Sequence, residues 1–275
     1  MTGGGAVRKA VVLARGLGTR MRRAEPGAVM DDAQAAAAAR GMKAMIPIGR
    51  PFLDYALSAL ADAGCTAACL VIGPEHTDIR EYYNRPGATE RITIAFAEQR
   101  EPRGTADAML AAERFAAGER VLMVNSDNYY PASALAALRA VPGSGLLGFE
   151  REALTRRGNI EAARVLKYAL LALHADGSLA QIVEKPDAAT AAALGTNTLV
   201  SMNAWVFGPA IYDACRRVAP SVRGELELQD AVRIAVGEMG ERFDVVRVSE
   251  GVLDLSSRGD IASVRERLAG VEPRP

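Results

Sequence analysis

Residues 10–21 read AVVLARGLGTRM. Ala10 to Leu13 form an apolar run without a polar break, the pattern of a strand buried on both faces of a parallel sheet. Gly16 and Gly18 come soon after, with Thr19 and Arg20 directly behind them. Glycine lets the backbone approach a ligand closely, and exposed N–H groups at such a turn favour anions. Met21 stands where a dinucleotide fingerprint needs its third glycine, and no Gly-Lys-Ser/Thr closes a Walker-type loop. A glycine loop that carries a fixed cation suits a triphosphate. A plain tight turn is the competing reading of these residues alone.

The same strand-then-helix rhythm continues outward. AACLVIG (67–73), RITIAFAE (91–98), RVLMVNSD (120–127) and SGLLGFE (144–150) read as buried strands. PFLDYALSALADAG (51–64) has apolar residues at helical spacing and a glycine stop. GTADAMLAAERFA, SALAALRAV, ELQDAVRIAVGEMG and GDIASVRERLAG read as further helices. Residues 168–186 read as a hairpin turning at Asp176-Gly177. NAWVFGP, RFDVVRV and GVLDLS complete the strands. The alternation predicts an α/β fold: a mostly parallel sheet covered on both faces, with a small antiparallel addition and residues 1–275 as a single domain.

The 275 residues carry 33 basic and 33 acidic side chains, so no global basic field favours nucleic acid or an acidic membrane. No apolar run approaches the ~20 residues of a membrane span. The opening MTGGGAVRKAVVLA does not read as a signal peptide, so a cytoplasmic protein is expected. Cys65, Cys69 and Cys215 show no metal-ligand spacing and read as small buried thiols. Among the basic residues 29 are arginine and only 4 lysine: Lys9, Lys43, Lys167 and Lys185. A lysine kept against that bias stands out, because a guanidinium cannot replace a compact ammonium at a phosphate oxygen.

Residues 13–21 resemble the L-x-x-G-x-G-T-R-[LM] signature of the sugar-1-phosphate nucleotidyltransferases. Six later stretches resemble that family's segments in its order: GMKAMIPIGRPFLDY, QREPRGTADAM, VLMVNSDNYYP, KYALLALHADGSLAQIVEKP, RGELELQDAV and GVLDLSSRGDI. The resemblance covers about residues 8 to 270. It implies a Rossmann-like three-layer α/β/α nucleotidyltransferase fold. It also implies a Mg2+-dependent reaction of an NTP with a sugar 1-phosphate, giving a nucleotide sugar and pyrophosphate. Arg20 would hold the leaving pyrophosphate, Lys43 the transferred phosphate and Lys185 the sugar phosphate. Leu13, Ala14, Arg15, Gly16, Gly18 and Thr19 would wrap the nucleotide, and Gln99, Gly104 and Thr105 would receive its base. A glutamine amide can donate and accept against an imide edge, which favours UTP or dTTP. Users of ATP, GTP and CTP share much of the pattern. Asp127 and Asp254 would hold Mg2+, and Asn128, Ala169, Glu184 and Asn203 would line the sugar site. Homo-oligomers are common in the family.

The chain departs from the pattern in four places. Residues 22–41 lengthen the usual Arg20–Lys43 spacing with an Ala-rich stretch, DDAQAAAAARG, that Asp31 or Asp32 can cap as a helix. That insertion reads as a lid or as a contact to a second subunit. Ser126, Ala169 and the pair Ser256-Ser257 stand where the family carries glycine or Gly-Thr. These changes touch the sugar side, so a polyol or cyclitol phosphate is an alternative substrate. A non-catalytic nucleotide-sugar-binding regulator is a third reading.

Overall fold

A computed structural model describes residues 5–195 and 197–275 of the chain. Its strands are β1 (Lys9–Leu13), β2 (Ala67–Ile72), β3 (Thr93–Glu98), β4 (Val121–Asn125), β5 (Asn128–Tyr129) and β6 (Ser144–Phe149). They continue as β7 (Ala169–Leu173), β8 (Leu179–Val183), β9 (Leu199–Phe207), β10 (Phe243–Val248) and β11 (Leu253–Asp254). The main sheet runs β10-β6-β9-β4-β1-β2-β3. All of its neighbours are parallel except β9, which is antiparallel to both β4 and β6.

β9 explains the antiparallel addition. Its last residues pair with β4, Met123 opposite Trp205, whereas its first residues pair with β7, Ala169 opposite Ser201. β9 therefore overruns the carboxyl end of β4 and carries the β7–β8 hairpin out beyond it. The hairpin turns where the Asp176-Gly177 signal sits, with Gly177 at φ 80°. Strand carboxyl ends are where open α/β sheets place their ligands.

Burial follows the two-residue strand period. Ala10 and Val12 of β1 pack with Leu53, Leu57 and Leu138 on one face, and Val11 and Leu13 pack with Met109, Trp205 and Val232 on the other. The helices Phe52–Asp62 and Ala132–Arg139 cover the first face. Thr105–Ala111, Ala210–Arg217 and Leu228–Gly237 cover the second. The architecture is thus α/β/α. Phe52–Asp62 ends at the glycine stop: Gly64 takes φ 95°, its N–H donates to the Ala61 carbonyl, and Cys65 N–H donates to that of Leu60.

Other elements differ from the sequence reading. GTADAMLAAERFA breaks at Ala112 into Thr105–Ala111 and Glu113–Ala116. NAWVFGP extends back to Leu199, and GVLDLS keeps only Leu253–Asp254 as strand. The helices Thr77–Tyr83, Arg151–Arg157 and Ala188–Ala193 are too short for a helical period to stand out in the sequence, whereas Ala210–Arg217 is strongly amphipathic and is a further helix that the sequence reading does not include. The three cysteines are buried, and burial pushes their thiols up to about 11 for Cys65 and about 12 for Cys69 and Cys215. Among the described residues no helix is long and apolar enough to cross a membrane.

The Ala-rich insertion is a helix, Asp32–Arg40, and Asp31 is its cap. The Asp31 carboxylate accepts from Gln34 N–H while the Gln34 side chain accepts from Asp31 N–H. Ala37 and Ala38 pack with Met21, Ile46, Phe52, Leu255 and Ile261 in a third apolar cluster. The helix ends on Gly41, which lies directly over Gly18 of the glycine loop. A Cβ on Gly18 would collide with the Gly41 carbonyl, and Gly18 itself sits at φ 60°. The insertion is therefore a roof on the loop, fixed to its own chain. Gly18→Ala is expected to cost about 1–3 kcal/mol for the forced left-handed backbone alone. The loss will show as a lower urea midpoint at unchanged slope.

Candidate active site

β1 and β4 end side by side, and the chain leaving them is tied back to the sheet. Ser126 N–H donates to the Leu13 carbonyl at 3.1 Å, and Ala14 N–H donates to that of Val71 at 2.9 Å. Leu13 and Ala14 thus spend these polar groups on the sheet and are buried. The amides of Arg15, Gly16, Leu17 and Gly18 meet no acceptor among the described residues. An anion-binding loop requires such a row of free N–H groups.

Three adjoining cavities of about 590, 210 and 170 Å³ open along these strand ends. Asn125 and Asp127 line both the largest and the middle one, while Leu13, Gly16 and Thr105 line both the middle and the smallest. Together they make one cleft from Gln99 at one end to Lys185 at the other.

In the middle, Lys43 Nζ donates to Asp127 Oδ2 at 2.8 Å, with both side chains largely shielded. His76 faces the same cavity. Its Nδ1 accepts from Gly73 N–H, and burial lowers its pKa, so it is a neutral imidazole at pH 7.

At the narrow end, Gln99 is 4% exposed. Its Nε2 donates to Gly104 O at 2.9 Å and to Asp107 Oδ2 at 2.8 Å. The amide is therefore fixed, and its Oε1 takes no hydrogen bond from another described residue. Gly104 needs to be glycine: it sits at φ 117°, with Leu226 backbone 2.5 Å from where a Cβ would go. The Thr105 hydroxyl accepts from Leu228 N–H at 2.9 Å. Arg15 is buried, its Nε donating to Gln99 O at 3.1 Å and its Nη1 pairing with Glu75 at 2.5 Å. Its guanidinium ties the end of β3 to the loop after β2 at the narrow end of the cleft.

The wide end gathers Arg20, Glu184, Lys185, Asn203, Ala169 and Asn128 around one space. Arg20 is exposed there, at the start of the short helix Thr19–Arg22. Of the three described non-glycine residues with positive φ, two are in this cavity: Lys185 at 41° and Asn203 at 59°. Backbone in that region costs energy and persists where the surroundings over-determine it, which is common at binding sites. Asn203 lies where β9 changes partner from β4 to β7. Gln229 Nε2 donates to Asn203 Oδ1 at 3.1 Å, which leaves the Asn203 amide nitrogen to donate into the space.

Asp254 reaches this site through the two-residue antiparallel pair of β11 with β5, which sets Asp254 opposite Asn128. Asn128 Nδ2 donates to Asp254 Oδ1 at 3.0 Å, and Tyr168 OH donates to Oδ2 at 3.0 Å. Asn159 grips the Asp254 backbone from both sides, accepting from its N–H at 2.7 Å and donating to its carbonyl at 2.9 Å. Burial, and then the nearby Asp127 charge, raise the Asp254 carboxyl above its ordinary range.

The positions singled out as nucleotide or sugar ligands, cations or metal carboxylates fall on this cleft or on the loops and strand ends that frame it. Arg15 lines the narrow end too, with its Nε donating to Gln99 O and its Nη1 beside Glu75. Five further neighbours lie outside those positions. Tyr168, Gln229 and Arg223 stand inside the quoted motifs and carried a legible signal. Asn159 and Arg164 lie in a stretch with no pattern at all. Arg164, Tyr168, Arg223 and Gln229 all line the wide cavity.

The sequence model of a family described as nucleotidyl transferase matches residues 37–257. The UTP–glucose-1-phosphate uridylyltransferase AglF of Haloferax volcanii is 26% identical over 261 residues, 94% of this chain and 96% of that protein. A glucose-1-phosphate thymidylyltransferase of Streptomyces antibioticus is 28% identical over 275 residues, 97% of this chain and 68% of that protein. A solved UDP-glucose pyrophosphorylase complexed with UDP-glucose superposes with a TM-score of 0.75 at 18% identity, over 97% of this chain and 100% of the other. At that identity the likeness is one of fold.

Asn159→Ala removes two hydrogen bonds from buried backbone. It is expected to cost about 1–3 kcal/mol, read by urea unfolding. The loss should fall on β11, seen as faster amide exchange at Asp254 and Leu255.

Proposed function

The chain belongs to the nucleotidyl transferase family, and from that premise we propose that it joins an NTP to a sugar 1-phosphate. An oxygen of the sugar phosphate attacks the α-phosphorus of the NTP, the new O–P bond forms, and pyrophosphate leaves with the electrons of the bond that breaks. Such a transfer needs positioning and charge neutralisation more than covalent help from the protein. The observation that carries the reading is one continuous cleft with free loop amides and Lys43 in the middle and Arg20, Lys185 and Arg223 at the wide end.

In this reading the glycine loop holds the triphosphate with its backbone N–H groups. Lys43 neutralises the transferred phosphate. Lys185 holds the sugar phosphate, and Arg20 balances the pyrophosphate as it departs. Glu184 and Asn203 meet sugar hydroxyls, Asn203 as a donor because Gln229 occupies its oxygen. The Ala169 methyl is buried in the wall of the wide cavity. It favours a polyol or cyclitol phosphate as the second reading.

Asp127 and Asp254 fit Mg2+. Both offer hard carboxylate oxygens, Asp127 keeps Oδ1 without a partner among the described residues, and its charge presses on Asp254 as a shared dication would relieve. When bound, Mg2+ would neutralise phosphate charge. On the base side, the fixed Gln99 amide presents an acceptor, which suits the N3–H of uracil or thymine.

The test is pyrophosphate release from each common NTP against a panel of hexose, polyol and cyclitol phosphates. We expect turnover with UTP or dTTP, and a kcat for Asp127→Asn lower by about 10²-fold or more. No release from any pair, with nucleotide binding intact, would leave only the regulator reading. Asp107→Ala removes one of the two acceptors that hold the Gln99 amide, leaving the Gly104 carbonyl alone to orient it. The preference for UTP over CTP in kcat/KM should then fall, by at most about tenfold, the weight of one hydrogen bond.

A further inference from the structure

Arg164 stands on the candidate metal carboxylate. Its Nη2 donates to Asp254 Oδ2 at 2.8 Å, and its Nη1 donates to Asp260 Oδ1 at 2.6 Å. The side chain is 20% exposed, and the two carboxylates are 5% and 7% exposed, so this is a shielded pair and not a surface contact. Asp260 is itself committed: its Oδ2 accepts from Ser256 N–H at 3.0 Å and Ser257 N–H at 2.7 Å. Both oxygens of Asp254 are engaged as well, Oδ1 by Asn128 and Oδ2 by Tyr168 alongside Arg164. Arg164 also lines the wide cavity.

We propose that Arg164 is a built-in counter-cation of Asp254 that sets how weakly the nucleotide-free protein holds its metal. This rests on the metal reading given above. Three carboxylates, Asp127, Asp254 and Asp260, face two fixed cations, Lys43 and Arg164. One negative charge remains, which is a weak trap for a divalent ion. The free protein therefore takes up little metal. The ion is held only once triphosphate oxygens add their charge, so metal and nucleotide arrive together. Arg164 is a positioning and charge-setting residue and takes no part in bond making.

The experiment is Mn2+ titration of the nucleotide-free protein, with the free ion read by its electron paramagnetic resonance signal. Arg164→Gln removes the cation while Asn128 and Tyr168 still hold Asp254. It is expected to tighten Mn2+ about tenfold or more, the scale of a lost charge repulsion in a part-buried site. Arg164→Lys keeps the charge and should stay within about threefold of the wild type, a difference too small for a lost charge. Unchanged or weaker Mn2+ binding by Arg164→Gln overturns the proposal, and so does equal tightening by both variants, because then charge is not the cause. If Arg164→Gln unfolds, the lysine variant with Mn2+ binding far from wild type is enough to overturn it. The functional reading fails separately, on the absence of pyrophosphate release by the wild type.

Discussion

The site depends on a very small piece of sheet. β5 and β11 pair over two residues each, and this pairing sets Asp254 opposite Asn128, 126 positions earlier in the chain. So short a ladder has little stability of its own. It persists because each end is held elsewhere: Leu255 N–H donates to the Asp127 carbonyl, and Asn159 grips Asp254. Leu253 and Leu255 are buried in the third apolar cluster with Phe52 and Ile261. Packing thus brings together two carboxylates that repel each other. Burial first, and then the Asp127 charge, raise the Asp254 carboxyl, and Lys43 and Arg164 pair with the two carboxylates.

The parallel strands do the rest of the positioning. β1 is flanked by β2 and β4, and all three release their chains at the same edge. β9 then runs the other way and overshoots, so its hairpin walls the far side of the cleft. The catalytic candidates come from both sources: loop amides, Lys43 and Asp127 from the parallel edge, and Lys185 and Asn203 from the antiparallel wall. Two non-glycine residues in left-handed backbone at that wall show that geometry there is imposed by the fold, not chosen by the local chain.

Much of this is legible in the sequence because strand period, glycine stops and hairpin turns are local signals. β1, the Gly64 stop and the Asp176-Gly177 turn fall where the residues put them. The glycine loop and its later partners are legible as well, since each motif keeps its spacing. The part that cannot be read is long-range. Ala112 breaks a helix that looks continuous. Arg15 is legible as part of the glycine loop, but its partners Glu75 and the Gln99 carbonyl, 60 and 84 positions on, are not. Arg164 sits in no motif, and its importance comes only from Asp254 and Asp260, some 90 residues away in the chain.

The roof formed by residues 22–41 has a mechanical consequence. It is bolted down at several points: Glu25 accepts from Gly259 N–H, Arg258 donates to the Arg22 carbonyl, and Arg40 pairs with Asp78. Lifting it would expose the third apolar cluster and separate Gly18 from Gly41. The opposite wall, made by the β7–β8 hairpin, is tied in as well: three register positions join it to β9, Ser178 bridges to Asp244 of β10, and Leu171, Leu179 and Ile182 pack with Trp205 and Phe243. The cleft therefore lies between two walls that are each anchored to the sheet and its core, and neither can move away without uncovering apolar side chains.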